Sequence, residues 1–177
     1  MQPCRESLPV LNSPRMTLRP LTHDDVRPLA QALAADPVSS RWWSTSPETN
    51  ERWLREMEAG AFVIEVAGAR AGVVAFEDSL EPEYRFAHID IALLGPYTGQ
   101  GLGPASIRVL ARWLVRECGH HRFTIDPSVH NARAIRAYEK VGFKPIGVLR
   151  RYERQEDGSW GDCLYMDLLA EELTPDD

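Results

Sequence analysis

The sequence predicts a mixed α/β domain, and three observations carry that expectation. Seven stretches show strand spacing of apolar residues and four show helical spacing. Their order, β-α-α-β-β-β-α-β-α-β-β, lacks the strict βαβ alternation of a doubly wound fold, which points to a mixed sheet with helices on its faces. The chain has 177 residues, 44% hydrophobic and 26% charged, which suits one domain with a full core.

Each element has a local reason. Residues 1–14 hold Pro3, Pro9 and Pro14 without periodicity and read as a flexible leader, followed by one domain over residues 15–177. Met16 to Leu21 is the first strand. Thr22 resembles a helix N-cap with Asp25 three residues on, and Leu29 and Leu33 share the face of the helix that follows. Pro37 ends that region, and Arg41-Trp42-Trp43-Ser44 is an aromatic loop. Ser46-Pro47-Glu48 opens a second helix with proline in its first turn, and Trp53, Leu54 and Met57 mark its apolar face. Phe62 to Ala67 and Gly72 to Phe76 are strands around the hairpin signal Gly68-Ala69-Arg70. Tyr84 to Leu94 is a long strand. A third helix runs from about Pro104 to Cys118, with Ile107, Leu110, Ala111 and Leu114 as its buried stripe. Arg122 to Asp126 is a short strand. A fourth helix covers about Ala132 to Val141, capped by Asn131 and stopped by Gly142. Lys144 to Arg150 and Leu164 to Leu169 are the last strands, joined through a turn containing Gly158.

Composition removes several function classes. A formal net charge of −6 argues against a nucleic-acid surface and suits a cationic substrate. No apolar run approaches the roughly 20 residues that cross a bilayer. No charged segment followed by an apolar one opens the chain, so a cytoplasmic location is expected. Cys4, Cys118 and Cys163 are odd in number and widely spaced, which reads as reduced thiols. His120 and His121 are expected to face solvent, with no acidic or cysteine partner nearby to suggest a metal.

The stretch Thr98-Gly99-Gln100-Gly101-Leu102-Gly103-Pro104 carries the strongest chemical signal. It follows the apolar run Ile89-Asp90-Ile91-Ala92-Leu93-Leu94 and precedes a helical pattern. Glycine lets the backbone approach a ligand and adopt positive φ. A helix start offers unpaired N–H groups and partial positive charge, so the pair makes a seat for phosphate. Proline at 104 breaks the dinucleotide fingerprint, and Gly103-Pro104-Ala105 lacks the lysine and hydroxyl of a Walker loop.

The run from Asp90 to Phe143 resembles the GNAT superfamily of acyl-CoA N-acyltransferases. Thr98 to Gly103 matches the window Gln/Arg-x-x-Gly-x-Gly/Ala, with threonine at the first position as a departure. Asn131-Ala132-Arg133-Ala134-Ile135-Arg136-Ala137-Tyr138-Glu139-Lys140-Val141-Gly142-Phe143 matches a second, more specific signature. Arg41-Trp42-Trp43, His88-Ile89-Asp90, Thr124-Ile125-Asp126-Pro127 and Ala137-Tyr138-Glu139-Lys140 are similar to segments of aminoglycoside 6'-N-acetyltransferases. The tail from Gly147 to Asp162 is similar to that group and to ribosomal-protein N-terminal acetyltransferases.

The resemblance implies a central mixed, mostly antiparallel sheet of six to seven strands flanked by four helices. It implies acetyl-CoA as cosubstrate, no metal, and direct transfer to a small-molecule primary amine. A monomer or homodimer is expected, with no nucleic-acid or membrane partner. Cofactor contacts are expected at Leu93, Leu94, Gly99, Gln100, Gly101, Leu102, Gly103, Asn131, Ala134 and Tyr138, with the Leu93 N–H on the thioester oxygen. Asn131 serves equally as a helix cap. Asp90 is the candidate base or amine-orienting group, and Tyr138 the candidate acid toward the coenzyme A sulfur. Trp43, Glu81, Glu83, Asp90 and Asp126 are the candidate substrate contacts; Asp126 also reads as a turn carboxylate, and Asp78, Glu81 and Glu83 as a solvated acidic loop. The first reading of the acceptor is the aminoglycoside 6'-amine. Protein N-terminal or polyamine acetylation is a rival, and a non-catalytic coenzyme A-binding sensor is a reading of another class.

Overall fold

The computed structural model describes residues 7–79 and 81–175. Its elements run β1 (Leu11–Asn12), β2 (Thr17–Pro20), α1 (His23–Ala35), α2 (Pro47–Met57), β3 (Ala61–Val66), β4 (Ala69–Ser79), β5 (Phe86–Leu93), α3 (Leu102–Cys118), β6 (Arg122–Ile125), α4 (Ala132–Glu139), β7 (Lys144–Arg154) and β8 (Trp160–Leu169). One sheet of eight strands has the order β1-β2-β3-β4-β5-β6-β8-β7. Every neighbouring pair is antiparallel except β5 with β6, which is parallel.

The strand count exceeds the expected six to seven because of β1. It lies inside the segment read as a leader, where Leu11 pairs with Leu18 and Asn12 with Thr17. Two residues are too few to display alternation, so no sequence pattern could show this strand. Leu8 and Leu11 also pack against the core. The part of the leader before Ser7 lies outside the described residues. The third helix starts at Leu102, earlier than expected. Pro104 falls in its first turn, where a missing N–H removes no intrahelical bond.

Alternation along the strands sorts the core onto two faces. Phe62, Ile64, Val74, Phe76 and Ile89 meet α3 residues Ile107, Leu110 and Leu114 on one face. Val63, Val73, Ala75 and Ala92 meet Leu29 and Leu33 of α1 and Leu54 of α2 on the other. Buried Asp25 locks α1 down: its carboxylate accepts from Arg19 of β2 at 2.6 and 2.8 Å and from Arg70 of β4 at 2.8 Å.

Two expectations need correction. His120 is buried, not solvent-facing, with Nε2 3.3 Å from Asp78 Oδ2. Asp78 is therefore an interior partner and not part of a solvated run. Cys163 is a free buried thiol as read, but Cys118 is disulfide-bonded. The same expectation for Cys4 falls outside the described residues.

Candidate active site

The site begins where two parallel strands part. β5 and β6 pair only at Ala87 with Phe123 and at His88 with Thr124. β6 then ends at Ile125 while β5 continues to Leu93. Backbone parity decides what faces the gap. The Leu94 N–H donates to Ala71 O at 2.9 Å, on the β4 side, so Leu93 turns toward the opening. The Leu93 carbonyl accepts from Ser39 Oγ at 3.1 Å. Leu94 is a correction: its N–H is used by Ala71 and its carbonyl accepts from Tyr97, so its backbone is committed within the chain.

A cleft of about 330 Å³ opens there. Ile91, Ala92 and Leu93 line it from β5, and Thr98, Gly99, Gly101, Gly103 and Pro104 from the turn into α3. α4 contributes Ala134, Ala137 and Tyr138 beside the cations Arg133 and Arg136, while Trp42 and Trp43 enter from the α1–α2 loop. Gly99 and Gly101 have φ of +74° and +76°, which side-chain-bearing residues avoid. Gly101 is the N-cap of α3, so the unpaired N–H groups of the first turn lie next to the glycines. Arg15 donates to the Gln100 carbonyl and braces the turn from outside. Gln100 is exposed and Leu102 is buried in the core, and neither side chain lines the cleft.

Asn131 Oδ1 caps α4 by accepting from Ala134 N at 3.1 Å, and the residue also lines the cleft. Trp43 likewise lines the cleft while packing edge-on against Trp53, with centroids 4.4 Å apart.

The ionisable groups gather at the strand fork. Asp90 and His88 share the face of β5 opposite Ile89 and Ile91. His88 Nε2 lies 3.5 Å from Asp126 Oδ1 and 4.0 Å from Asp90 Oδ1. The side-chain polar atoms of His88, Asp90 and Asp126 all fall within 4.8 Å of one another. Burial pushes the Asp90 carboxyl up to about 6; His88 pulls it down, and Asp126, Glu77 and Glu153 push it further up. Tyr138 is buried, with its ring 6.2 Å from Phe143. Burial, then the charges of Asp90 and Asp126, raise its phenol well above the ordinary value, so it stays a neutral donor.

Glu81 and Glu83 do not line the cleft and are not among the groups that act on Asp90. They are exposed in the turn after β4, where Ser79 pairs with Phe86. The cleft opens at the other end of that hairpin, where Gly72 pairs with Leu93. Other residues surround the cluster: Glu77, in register with His88; Tyr152, whose phenol pKa is raised by burial and then by Asp126; and Glu153. Strand alternation two residues before Asp90 was a signal for His88. Tyr152 and Glu153 follow a register shift between Leu149 and Glu153, with Arg151 at φ +52°, which no periodicity announces.

The fold agrees with comparison to known proteins. Residues 15–144 match the family model for an acetyltransferase (GNAT) domain. The chain belongs to the GNAT acetyltransferase family. Spermidine N(1)-acetyltransferase of Escherichia coli (strain K12) is 25% identical over 171 residues, 89% of this chain and 90% of that protein. Aminoglycoside N(6')-acetyltransferase type 1 of Klebsiella pneumoniae is 29% identical over 156 residues, 76% of each chain. The crystal structure of Mycobacterium smegmatis RimJ with CoA-disulfide superposes with a TM-score of 0.78 at 23% identity, covering 94% of this chain and 90% of that one. This GNAT domain departs from the family's glycine window at Thr98. There Arg133 of α4 donates to Thr98 Oγ1 at 3.3 Å, which sets a cation beside the turn.

Proposed function

We propose that this GNAT enzyme transfers acetyl from acetyl-CoA directly to a primary amine of a polycationic small molecule, the aminoglycoside 6'-amine being the first candidate. The observation that carries this reading is the convergence of Asp90, His88 and Asp126 beside a cleft that also holds Tyr138 and the glycine turn. Acetyl-CoA supplies the thioester. The glycine turn and the start of α3 suit its diphosphate, because open N–H groups and a helix dipole attract anions. The gap-facing backbone of β5 suits an extended amide-bearing arm, and the Leu93 N–H is the candidate donor to the thioester oxygen.

The acceptor arrives as an ammonium with a pKa near ~10. Asp90 binds it and takes a proton. Its carboxyl at about 6 instead of 3.8 narrows the mismatch with the amine; two pH units are a factor of ~100 in the proton equilibrium. The nitrogen lone pair then forms the C–N bond, the C–S bond breaks, and its electron pair leaves on sulfur. Tyr138 gives sulfur its proton, the nitrogen sheds its second proton to water, and water reprotonates the phenolate, so free thiol and amide are the products. Glu77, Asp126 and Glu153 add negative charge around the same point, which favours an acceptor with more than one cation. Polyamines satisfy that requirement as well.

The test is thiol release from acetyl-CoA over a panel of aminoglycosides, polyamines and N-terminal peptides. Fastest turnover on an aminoglycoside is expected. Turnover confined to peptides overturns the polycation reading, and tight acetyl-CoA binding with no turnover on any amine supports a sensor instead.

A further inference from the structure

The transfer chemistry above leaves one residue of the strand fork unused. His88 stands at the last paired position before β5 and β6 separate, opposite Thr124. Its ring is anchored at one end and presented at the other. Nδ1 lies 3.0 Å from Thr124 Oγ1, and Thr124 is fully buried. Nε2 faces Asp126 Oδ1 at 3.5 Å and Asp90 Oδ1 at 4.0 Å. The Thr124 hydroxyl can donate to Nδ1 or accept from it, so in either charge state an Nε2–H can face the carboxylates.

The surroundings explain why a cation belongs here. Glu77 of β4, Asp126 after β6 and Glu153 of β7 are all acidic and all act on Asp90. Tyr138 of α4, Tyr152 of β7 and Cys163 of β8 add neutral polar groups, and Arg133 of α4 acts on Tyr138. Like charges this close hold one carboxylate protonated, whereas an opposite charge within ~4–6 Å releases the proton. His88 is the basic group that faces Asp90.

We propose that His88 is a positioning residue that, as an imidazolium braced on Thr124, keeps Asp90 and Asp126 ionised side by side and so sets the pH below which Asp90 stops serving the amine. The inference rests on the reading of Asp90 as the proton acceptor. The titration of the ring agrees in direction. Burial opposes its charge, but the hydrogen bond to Asp126 and the charges of Asp90, Asp126 and Glu77 prevail and raise its pKa above 6.5.

The experiment is the pH dependence of kcat/KM for His88→Gln against the parent enzyme, with the best amine of the panel. The acid limb is expected to move up by about one pH unit, since removing a facing cation lifts a carboxylate by at least that much. Rates then differ by about fivefold at pH 6 and about tenfold at pH 5, and converge above pH 8. A role confined to folding lowers the rate equally at every pH. An acid limb that depends on Asp90 but stays in place in His88→Gln overturns the role of His88 alone. An acid limb that survives in Asp90→Asn overturns the reading of Asp90 and this role with it. Imidazole NMR titration of the parent enzyme gives a readout independent of activity. His88, assigned by its shift in Asp126→Asn, is expected to titrate above 6.5 in the parent and lower in that variant; a parent value at or below 6.5 overturns the proposal.

Discussion

Glu156 and Thr45 are joined across 111 positions of sequence. The Thr45 N–H donates to Glu156 Oε1 at 2.6 Å, and the Thr45 hydroxyl reaches the two carboxylate oxygens at 2.9 and 2.8 Å. The Ser44 hydroxyl donates to the same Oε1 at 2.8 Å. The turn between β7 and β8 is thereby tied to the loop that carries Trp42 and Trp43 to the cleft. Glu156→Ala is expected to raise the acceptor KM several-fold and leave the acetyl-CoA KM unchanged. Its melting temperature stays close to the parent's, because the carboxylate is exposed. Steady-state kinetics with each substrate varied in turn checks this. Equal effects on both KM values would show that the tie does not act on the acceptor side.

Asp90 sets a pH signature. Its folded pKa of about 6 lies above the ordinary carboxyl value, so the carboxylate is present above pH 6 and is lost as pH falls below it. The kcat/KM of the parent enzyme should fall below pH 6. Asp90→Asn should cost about 10²–10⁴-fold at pH 8, the range for a positioned acid or base. The gap between the two enzymes should narrow toward pH 5, where the parent carboxyl is itself protonated. Parallel profiles at all pH values would remove Asp90 from proton transfer.

Tyr138→Phe removes one oxygen from a buried ring that keeps its packing on Phe143. Turnover is expected to drop by about 10²-fold, with acetyl-CoA binding held near the parent value. Isothermal titration with coenzyme A alongside kcat separates the two. A kcat equal to the parent's would assign the phenol to packing.

Gly101→Ala probes the diphosphate seat. The residue sits at φ +76°, where a side chain costs about 1–2 kcal/mol, and its Cβ would lie 3.0 Å from Arg15 Nη1. Roughly tenfold weaker acetyl-CoA binding is expected, since ~1.4 kcal/mol is a factor of ten. Gly147→Ala is the control, because a Cβ there meets nothing within 4 Å. Equal binding by the two variants would place the diphosphate elsewhere.

Much of the site was readable because it is local in the chain. The glycine turn, the strand before it and the capped helix after Asn131 each occupy one short stretch, where backbone conformation follows from residue type. Asp90 was readable from alternation, and His88 was available by the same rule two residues earlier. Glu81 and Glu83 sit in the exposed turn beyond the Ser79–Phe86 pair, whereas the cleft lies toward the Gly72–Leu93 end of the hairpin, a relation that only the strand register supplies.

By itself the sequence determined the order of every element but β1, the apolar stripes and the glycine turn, because propensity, period and glycine freedom act within a few residues. Tertiary structure alone decided that β5 and β6 part after His88 and Thr124. It alone gathered Glu77, His88, Asp90, Asp126, Tyr152 and Glu153 from separate strands and loops around one point. Such convergence depends on strand order, register and the offset in β7, which are long-range choices that no local pattern encodes.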